Sequence, residues 1–449
     1  MTITEKEHSK TNFVQRCIES NCGTVHSLDE SIYVCTTCGG LLDIDWLEGP
    51  VQDSSSLPSL WQSRKTSLAR RDRSGVWRFR EVLPFAETVS VVSLLEGNTP
   101  LYQAPHCATY CRLDSLLLKH QGMNPTGSFK DTGMTVAVTQ ARVLGARLVA
   151  CASTGNTAAS LAAYAARADL ACAILVPEGQ VSHAKLAQAL DYGARVLEIE
   201  GNFDSCMREI RELSNEGSLY LVNSINPFRI EGQKTVAYEL AEQLEWEVPD
   251  HLVIPGGNLG NSSALGKGFR ELFSLGLIQR MPRISVVQAV GAAPFADYFA
   301  RQQTQSDPAD FVDDPHPTTL ASAIKIGAPV SWQKSFRAVN ETSGVVLTVS
   351  EQEIADAKAV IGGDGIGCEP ASATTVAGIR KLRESGMIKE DDSVVAVLTG
   401  HVLKDTDYVI NYHNNLLRSD DGLLESTFRN KPLRITGGRD ELRRTLATF

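Results

Sequence analysis

The sequence predicts an α/β protein of doubly wound parallel sheets, preceded by a small cysteine-bearing module. Three observations predict it. From about Asn98 onward, short β-branched runs alternate with amphipathic stretches of helical spacing. Glycine- or hydroxyl-rich strings fall where such a run ends and a helical stretch begins, as the loops of a parallel sheet do. Four cysteines crowd into the first 47 residues, ahead of that alternation.

Taken in order, the runs at 147–152, 170–176, 195–199, 219–223, 252–254, 284–288 and 394–398 predict strands. Helical spacing predicts helices over 156–168, 182–192 and 371–383, with another from Asp131 onward through Met134 and Val138. Strands separated by helices of this length give parallel β-α-β units. Residues 48–97 mix Ser, Pro and Arg with Trp61, Trp77 and Phe79, and read as an arm or linker lying on another surface.

Composition sets outer limits. The chain has 449 residues, which predicts two or three packed units rather than one. With 43% hydrophobic and 21% charged residues it has the balance of an ordinary soluble protein. A formal net charge of −10 argues against a nucleic-acid partner, which selects a basic face. It leaves anionic small substrates open. The polar N-terminus lacks the apolar core of a secretory signal, and no apolar run is long enough for a membrane span. Cys107, Cys111, Cys151, Cys172, Cys206 and Cys368 are scattered through apolar or loop segments and read as buried reduced thiols. The expected compartment is therefore the cytosol.

Four strings carry chemistry. In Asn124-Pro-Thr-Gly-Ser-Phe-Lys-Asp131, Pro125 and Gly127 force a tight loop into a helix start. A lysine there sits near unsatisfied N–H groups and a positive helix end, which with desolvation favours the neutral amine a Schiff-base lysine needs. A solvated surface lysine is the ordinary alternative, and this string is too particular for it. Ser153-Thr-Gly-Asn-Thr157 follows a strand and opens a helix, so it offers hydroxyls and N–H groups to an anion as well as a helix cap. Gly256-Gly-Asn-Leu-Gly-Asn261 lets the backbone close on a phosphate, and it matches neither a dinucleotide fingerprint nor a P-loop. In Val397-Leu-Thr-Gly-His401, Thr399 lies at a strand's carboxyl end, where doubly wound folds bind ligands. His401 reads as a capping or packing residue.

Together these strings resemble the fold-type II pyridoxal-phosphate enzymes and, among them, the threonine synthase family. The resemblance runs from Tyr33 to His413 and includes SLLEGNTPL at 93–101, NSINPFRIEGQKT at 223–235 and ASAIKIGAPV at 321–330. Several strings look most like the longer, plant-type members. The resemblance implies two doubly wound domains arranged as in the tryptophan synthase β chain. The catalytic region would span 98–449, with a smaller α/β subdomain at about 140–230. It implies a homodimer acting on O-phospho-L-homoserine, with another lyase of the fold, such as a threonine or serine dehydratase, as the rival reading.

Position by position, the resemblance makes Lys130 the cofactor's Schiff-base lysine and the mobile acid and base. Asn156 would bond the ring hydroxyl. Gly256, Gly257, Asn258, Leu259, Gly260 and Asn261 would hold the cofactor phosphate. Thr399 would meet the pyridine nitrogen with a neutral hydroxyl. Ser153, Thr154, Thr157, Ser224 and Arg229 fall at positions that bind the substrate's carboxylate and phosphate, and a guanidinium suits a dianion. Many members carry arginine after the Lys-Asp pair, where this chain has Thr132. The pairs Cys17/Cys22 and Cys35/Cys38, twelve residues apart, resemble a zinc ribbon over residues 1–47. They hold a structural zinc or remain unliganded thiols.

Overall fold

The computed structural model describes residues 12–47, 49, 54–178, 183–200, 203–304 and 310–448. Strands β1 (Phe13–Cys17), β2 (Val25–His26) and β3 (Leu42–Trp46) form an antiparallel sheet in the order β2-β1-β3. Helix α1 (Leu57–Arg64) follows. The chain then lays down β4 (Leu101–Gln103), α2 (Pro105–Cys111) and β5 (Leu117–His120). Next come α3 (Lys130–Val143), β6 (Leu148–Ala152), α4 (Asn156–Ala168), β7 (Ala171–Pro177) and α5 (His183–Asp191). They are followed by β8 (Arg195–Ile199), α6 (Phe203–Asn215), β9 (Tyr220–Leu221) and α7 (Pro227–Gln243). The remainder supplies β10 (His251–Pro255), α8 (Gly260–Ser274), β11 (Arg283–Ala289), α9 (Pro294–Thr304) and α10 (Trp332–Glu341). Then come β12 (Val346–Val349), α11 (Glu351–Gly363), α12 (Pro370–Glu384), β13 (Val394–Leu398) and α13 (Thr406–His413), followed by a short hairpin of β14 (Arg418–Ser419) and β15 (Gly422–Leu423) and by α14 (Gly438–Leu446).

Two parallel sheets result. The smaller has the order β8-β7-β6-β9, and every pair in it is parallel. The larger has the order β12-β11-β10-β13-β5-β4, parallel except for the edge pair β4/β5. Their central strands are apolar along their length, as sheets covered by helices on both faces must be: β10 and β13 are buried at every residue. The sequence-predicted strands match these elements within a residue or two at most ends. The start of the predicted helix at Ser182 lies outside the described residues. Among the described residues no helix is long and apolar enough to cross a membrane.

The 48–97 segment, read as an arm or linker lying on another surface, packs its aromatic residues into the core. Trp61, Trp77 and Phe79 are fully buried, and Trp61 stands edge-on to Phe79 and Tyr238 with centroids 5.1 and 5.6 Å apart. Aromatic rings of this size bury most of their area only against another element, so these residues anchor the segment. The six scattered cysteines are buried free thiols.

Three helices that point their N-termini at one place are held together by glycines. A Cβ at Gly232 would lie 1.9 Å from the Thr132 carbonyl oxygen, and one at Gly133 2.7 Å from that of Arg229. Helices α3 and α7 therefore meet backbone to backbone, which any larger residue forbids. A Cβ at Gly268 would lie 2.5 Å from the Lys234 carbonyl, so α7 and α8 meet the same way. Buried charges reinforce the second contact. Lys234 donates to Glu231 at 2.6 Å and to Glu271 at 2.8 Å, and Tyr238 donates to Glu271 at 2.7 Å.

Candidate active site

Lys130 is the first residue of α3, presented by a loop fixed at several points. Gly127 has φ +84°, which only glycine adopts without strain. The loop is sewn to the end of β13: Phe129 N–H donates to the Thr399 carbonyl at 2.8 Å, and His401 N–H to that of Gly127 at 2.9 Å. From inside, the Asp131 carboxylate accepts the Thr126 N–H at 2.7 Å and the Thr126 and Ser160 hydroxyls at 2.6 Å each. The Lys130 amine rests over the Phe129 ring, 4.1 Å from its centroid, and no acid lies within ion-pair distance among the described residues. Loss of solvation pulls its pKa down to about 7, the Arg229 charge adds to the fall, and Glu369 opposes it.

A charge-neutral amine at physiological pH is a nucleophile. We expect an amine-directed acylating reagent to label Lys130 of the cofactor-free chain about ten times faster at pH 8 than at pH 6, with a plateau above. An ordinary lysine would gain about a hundredfold over the same interval with no plateau. Peptide mass spectrometry of timed samples checks it.

The neighbours of Lys130 come from both sheets. Asn156, at the start of α4, donates its Nδ2 to Glu369 Oε2 at 2.9 Å. Thr399, just past β13, donates its hydroxyl to Glu369 Oε1 at 2.9 Å. The Ser372 hydroxyl accepts the Thr399 N–H at 2.8 Å and that of Gly400 at 3.2 Å. Glu369 thus joins two of the sequence-predicted residues, and sequence reasoning passed over it. Burial raises its pKa, against the Asn156 and Thr399 hydrogen bonds and the Lys404 and Lys130 charges. Its only sequence signal was an acid ahead of Pro370, which reads as an ordinary helix start. His401 caps a short turn, its Nδ1 accepting the Leu403 N–H at 3.2 Å.

The glycine loop connects β10 to α8. Packing alone accounts for Gly256, whose Cβ would lie 2.7 Å from Val286, and for Gly257, which abuts Ile324. Gly260 has open space, the nearest atom to its Cβ being Ile230 at 3.8 Å. Leu259, buried and left-handed at φ +62°, is a strained residue of the kind that clusters at binding sites. Asn258 is tied down, its Oδ1 accepting the Val330 N–H at 3.3 Å and its carbonyl the Ser331 N–H at 3.2 Å. Asn261 is buried with neither side-chain polar atom partnered, and Gln233 Oε1, 3.9 Å from a Cβ at Gly260, is unpartnered too. Gln233 also contacts Gly133, one turn into α3, so its side chain spans from the first turn of the lysine helix to the glycine loop. A helix N-terminus, an open glycine and unpartnered buried amides fit a phosphate-bearing cofactor such as pyridoxal phosphate.

The residues expected to meet substrate lie around the same place. Ser153, Thr154 and Thr157 are half-buried at the α4 N-terminus. Ser224 is half-buried beside Asn223, whose side chain donates to the Ala152 carbonyl and accepts the Ala152 N–H, both at 3.0 Å. Arg229 is the third residue of α7, 2% exposed, with Nε and one terminal nitrogen unpartnered. Burial brings its pKa down to about 10.

Far from this cleft in sequence, the sulfurs of Cys17, Cys22, Cys35 and Cys38 lie within 4.8 Å of one another, with Cys17 and Cys38 3.4 Å apart and Cys22 and Cys35 3.7 Å apart. Four thiolates about 2.3 Å from a common centre require such spacing, so the set fits a tetrahedral zinc. The module docks on the larger domain: Glu19 accepts from Gln333 at 2.8 Å, and Lys334 donates to the Leu42 carbonyl at 2.6 Å. Asp43 pairs with Lys267 at 3.4 Å and Lys334 at 3.3 Å.

Comparison with known proteins gives the family. Residues 92–400 match the family model described as pyridoxal-phosphate dependent enzyme. Threonine synthase of Methanocaldococcus jannaschii is 44% identical over 398 residues, covering 88% of this chain and 94% of the relative. Threonine synthase of Methanosarcina acetivorans is 44% identical, covering 88% and 93%. Among solved structures, an L-serine ammonia-lyase from Rhizomucor miehei superposes with a TM-score of 0.60 at 19% identity, covering 73% of this chain and all of that one. At that identity the likeness concerns the fold alone. The chain belongs to the pyridoxal-phosphate dependent enzymes and, within them, to the threonine synthases.

Proposed function

We propose that the chain converts O-phospho-L-homoserine and water to L-threonine and phosphate, by γ-elimination of phosphate followed by β-addition of water. The observation that most supports this substrate is Arg229. A buried guanidinium with two unpartnered nitrogens, beside an amine that no acid neutralises, is a standing cost unless an anion completes it. A distal phosphate does so with bidentate hydrogen bonds. A dehydratase substrate has only its carboxylate to offer.

Pyridoxal phosphate, when held here, supplies the electron sink for charge that develops beside the substrate's amino group. Lys130 would carry it, residues 256–261 would take its phosphate, Asn156 its ring hydroxyl and Thr399 its pyridine nitrogen. The chain's own groups then divide the work. The Lys130 amine, with a pKa near operating pH, takes and returns protons at successive substrate carbons. Arg229 orients the phosphate and offsets its charge as it leaves. Ser153, Thr154, Thr157 and Ser224 orient the carboxylate at the positive end of α4. Glu369 holds Asn156 and Thr399 in place from a single carboxylate.

Phosphate release from O-phosphohomoserine, assayed beside ammonia release from serine and threonine, tests the reading. Phosphate and threonine in equal amounts are expected; ammonia from serine as the faster reaction overturns it.

For the rest of the chain, we place one structural zinc on Cys17, Cys22, Cys35 and Cys38 in the 1–47 module. Residues 98–449 form the catalytic region, and the working form is a cytosolic homodimer. Replacing Cys35 and Cys38 by serine is expected to lose about one zinc per chain by elemental analysis. Because the module braces α10 next to Asn258, it should also lower Tm by several degrees. Full zinc content in that variant would show the ligand set to be wrong.

A further inference from the structure

Next to the catalytic cleft, α11, α13 and residues 428–430 enclose a cavity of about 270 Å3. Its wall includes Gly367, Cys368 and Val402, from the two segments that carry Glu369 and Thr399. Most of the lining is apolar, with Ala355, Ala359 and Val409 among it. Of the polar side chains in the wall, Tyr412 donates to Asp356 and His413 accepts the Asn430 N–H, whereas two others lack a hydrogen bond. Tyr408 is 4% exposed and its hydroxyl has no hydrogen-bond partner, although Glu351, Asp405 and Asp356 act on it through space. Lys358, also in the wall, makes no hydrogen bond or close ion pair among the described residues, although Cys368 and Asp405 act on it through space. A largely apolar chamber in which one ammonium and one hydroxyl are left without hydrogen-bond partners is the complement of a small carboxylate with an apolar body. The mechanism uses neither group.

The cavity wall is mechanically joined to the catalytic residues. A Cβ at Gly367 would lie 2.7 Å from Val402 Cγ1, so these segments touch at the chamber itself. Cys368 and His401 then pair as an antiparallel bridge, and Glu369 N–H donates to the Gly400 carbonyl at 3.0 Å. One residue further on, the Thr399 hydroxyl meets the Glu369 carboxylate. Anything that parts Gly367 from Val402 pulls on that pair.

We propose that this cavity is a second small-molecule site for an amphiphilic monocarboxylate of on the order of ten non-hydrogen atoms. Lys358 and Tyr408 grip the carboxylate, and occupancy reaches the catalytic cleft through the 367–369 and 399–402 segments.

Calorimetry on the holoenzyme with benzoate tests it. Benzoate is expected to bind at least about tenfold more tightly than uncharged benzamide, and Lys358→Met to remove about that tenfold preference. Ala359→Trp, which fills the chamber, abolishes binding, and the milder Tyr408→Phe weakens it about threefold without disturbing the fold. Saturating benzoate changes KM or kcat of the wild type at least about twofold and leaves Ala359→Trp unchanged. Absence of benzoate binding at millimolar concentration, equal binding of benzamide, binding that survives both Lys358→Met and Ala359→Trp, or binding without a kinetic effect would each overturn the proposal. The calorimetric arm reads binding directly, so it fails or succeeds independently of which substrate the enzyme uses.

Discussion

Lys130→Ala is expected to lower turnover of O-phosphohomoserine by about ten-thousand-fold or more and to leave the protein folded. Both halves follow from the same surroundings. The amine has its pKa drawn to about 7, and it is the group in the cleft able to act as nucleophile, base and acid in turn. Yet it contributes little to cohesion. Among the described residues it forms no hydrogen bond or ion pair, and its recorded contact is with the Phe129 ring. The loop is held instead by Asp131, Thr126 and Ser160 and by the bridge to β13. Steady-state rates with far-ultraviolet circular dichroism and a melting curve check the pair of claims. A variant that kept activity within tenfold would remove Lys130 from the chemistry, and one that lost both activity and fold would show the side chain to be structural.

Arg229→Met separates function from stability in opposite directions. We expect kcat/KM for O-phosphohomoserine to fall by about a hundred- to a thousandfold, equivalent to roughly 3–4 kcal/mol. The ligand-free protein is expected to become more stable by about 1–3 kcal/mol, since an apolar side chain of similar volume replaces an uncompensated buried charge. Inorganic phosphate is expected to raise the wild-type Tm by occupying the guanidinium and to leave that of the variant unchanged. Denaturant unfolding and thermal melts with and without phosphate check this. If the variant were less stable than the wild type, Arg229 would be holding the fold rather than awaiting a ligand.

The parts of this site that could be read from sequence are those where the backbone itself is unusual. Gly127 needs a left-handed φ, and the loops at 153–157 and 256–261 sit between a strand and a helix. Punctuation of that kind survives in a one-dimensional string. Glu369 did not, because an acid before a proline has a common structural meaning and its role depends on two residues from distant stretches of chain. The same holds for Gly232 and Gly133, which look like minor flaws in helices α7 and α3 until the helices are brought together. In residues 48–97 composition and position carry different information. Polar neighbours set the composition of that stretch, while Trp61 and Trp77 decide where it lies.

The glycine seam between α3 and α7 fixes how far apart the starts of the two helices stand. Lys130 and Arg229 each sit within the first three residues of their helices, and those helices touch through backbone atoms that cannot be compressed or slid without a clash. The separation of the two helix starts that present Lys130 and Arg229 is therefore set by main chain, and only the two side chains can adjust. Lengthening the substrate by one methylene would not be absorbed by a small shift of either helix. Altered chain-length preference in descendants of this protein should arise from exchanging the clamp residue, with the seam left untouched.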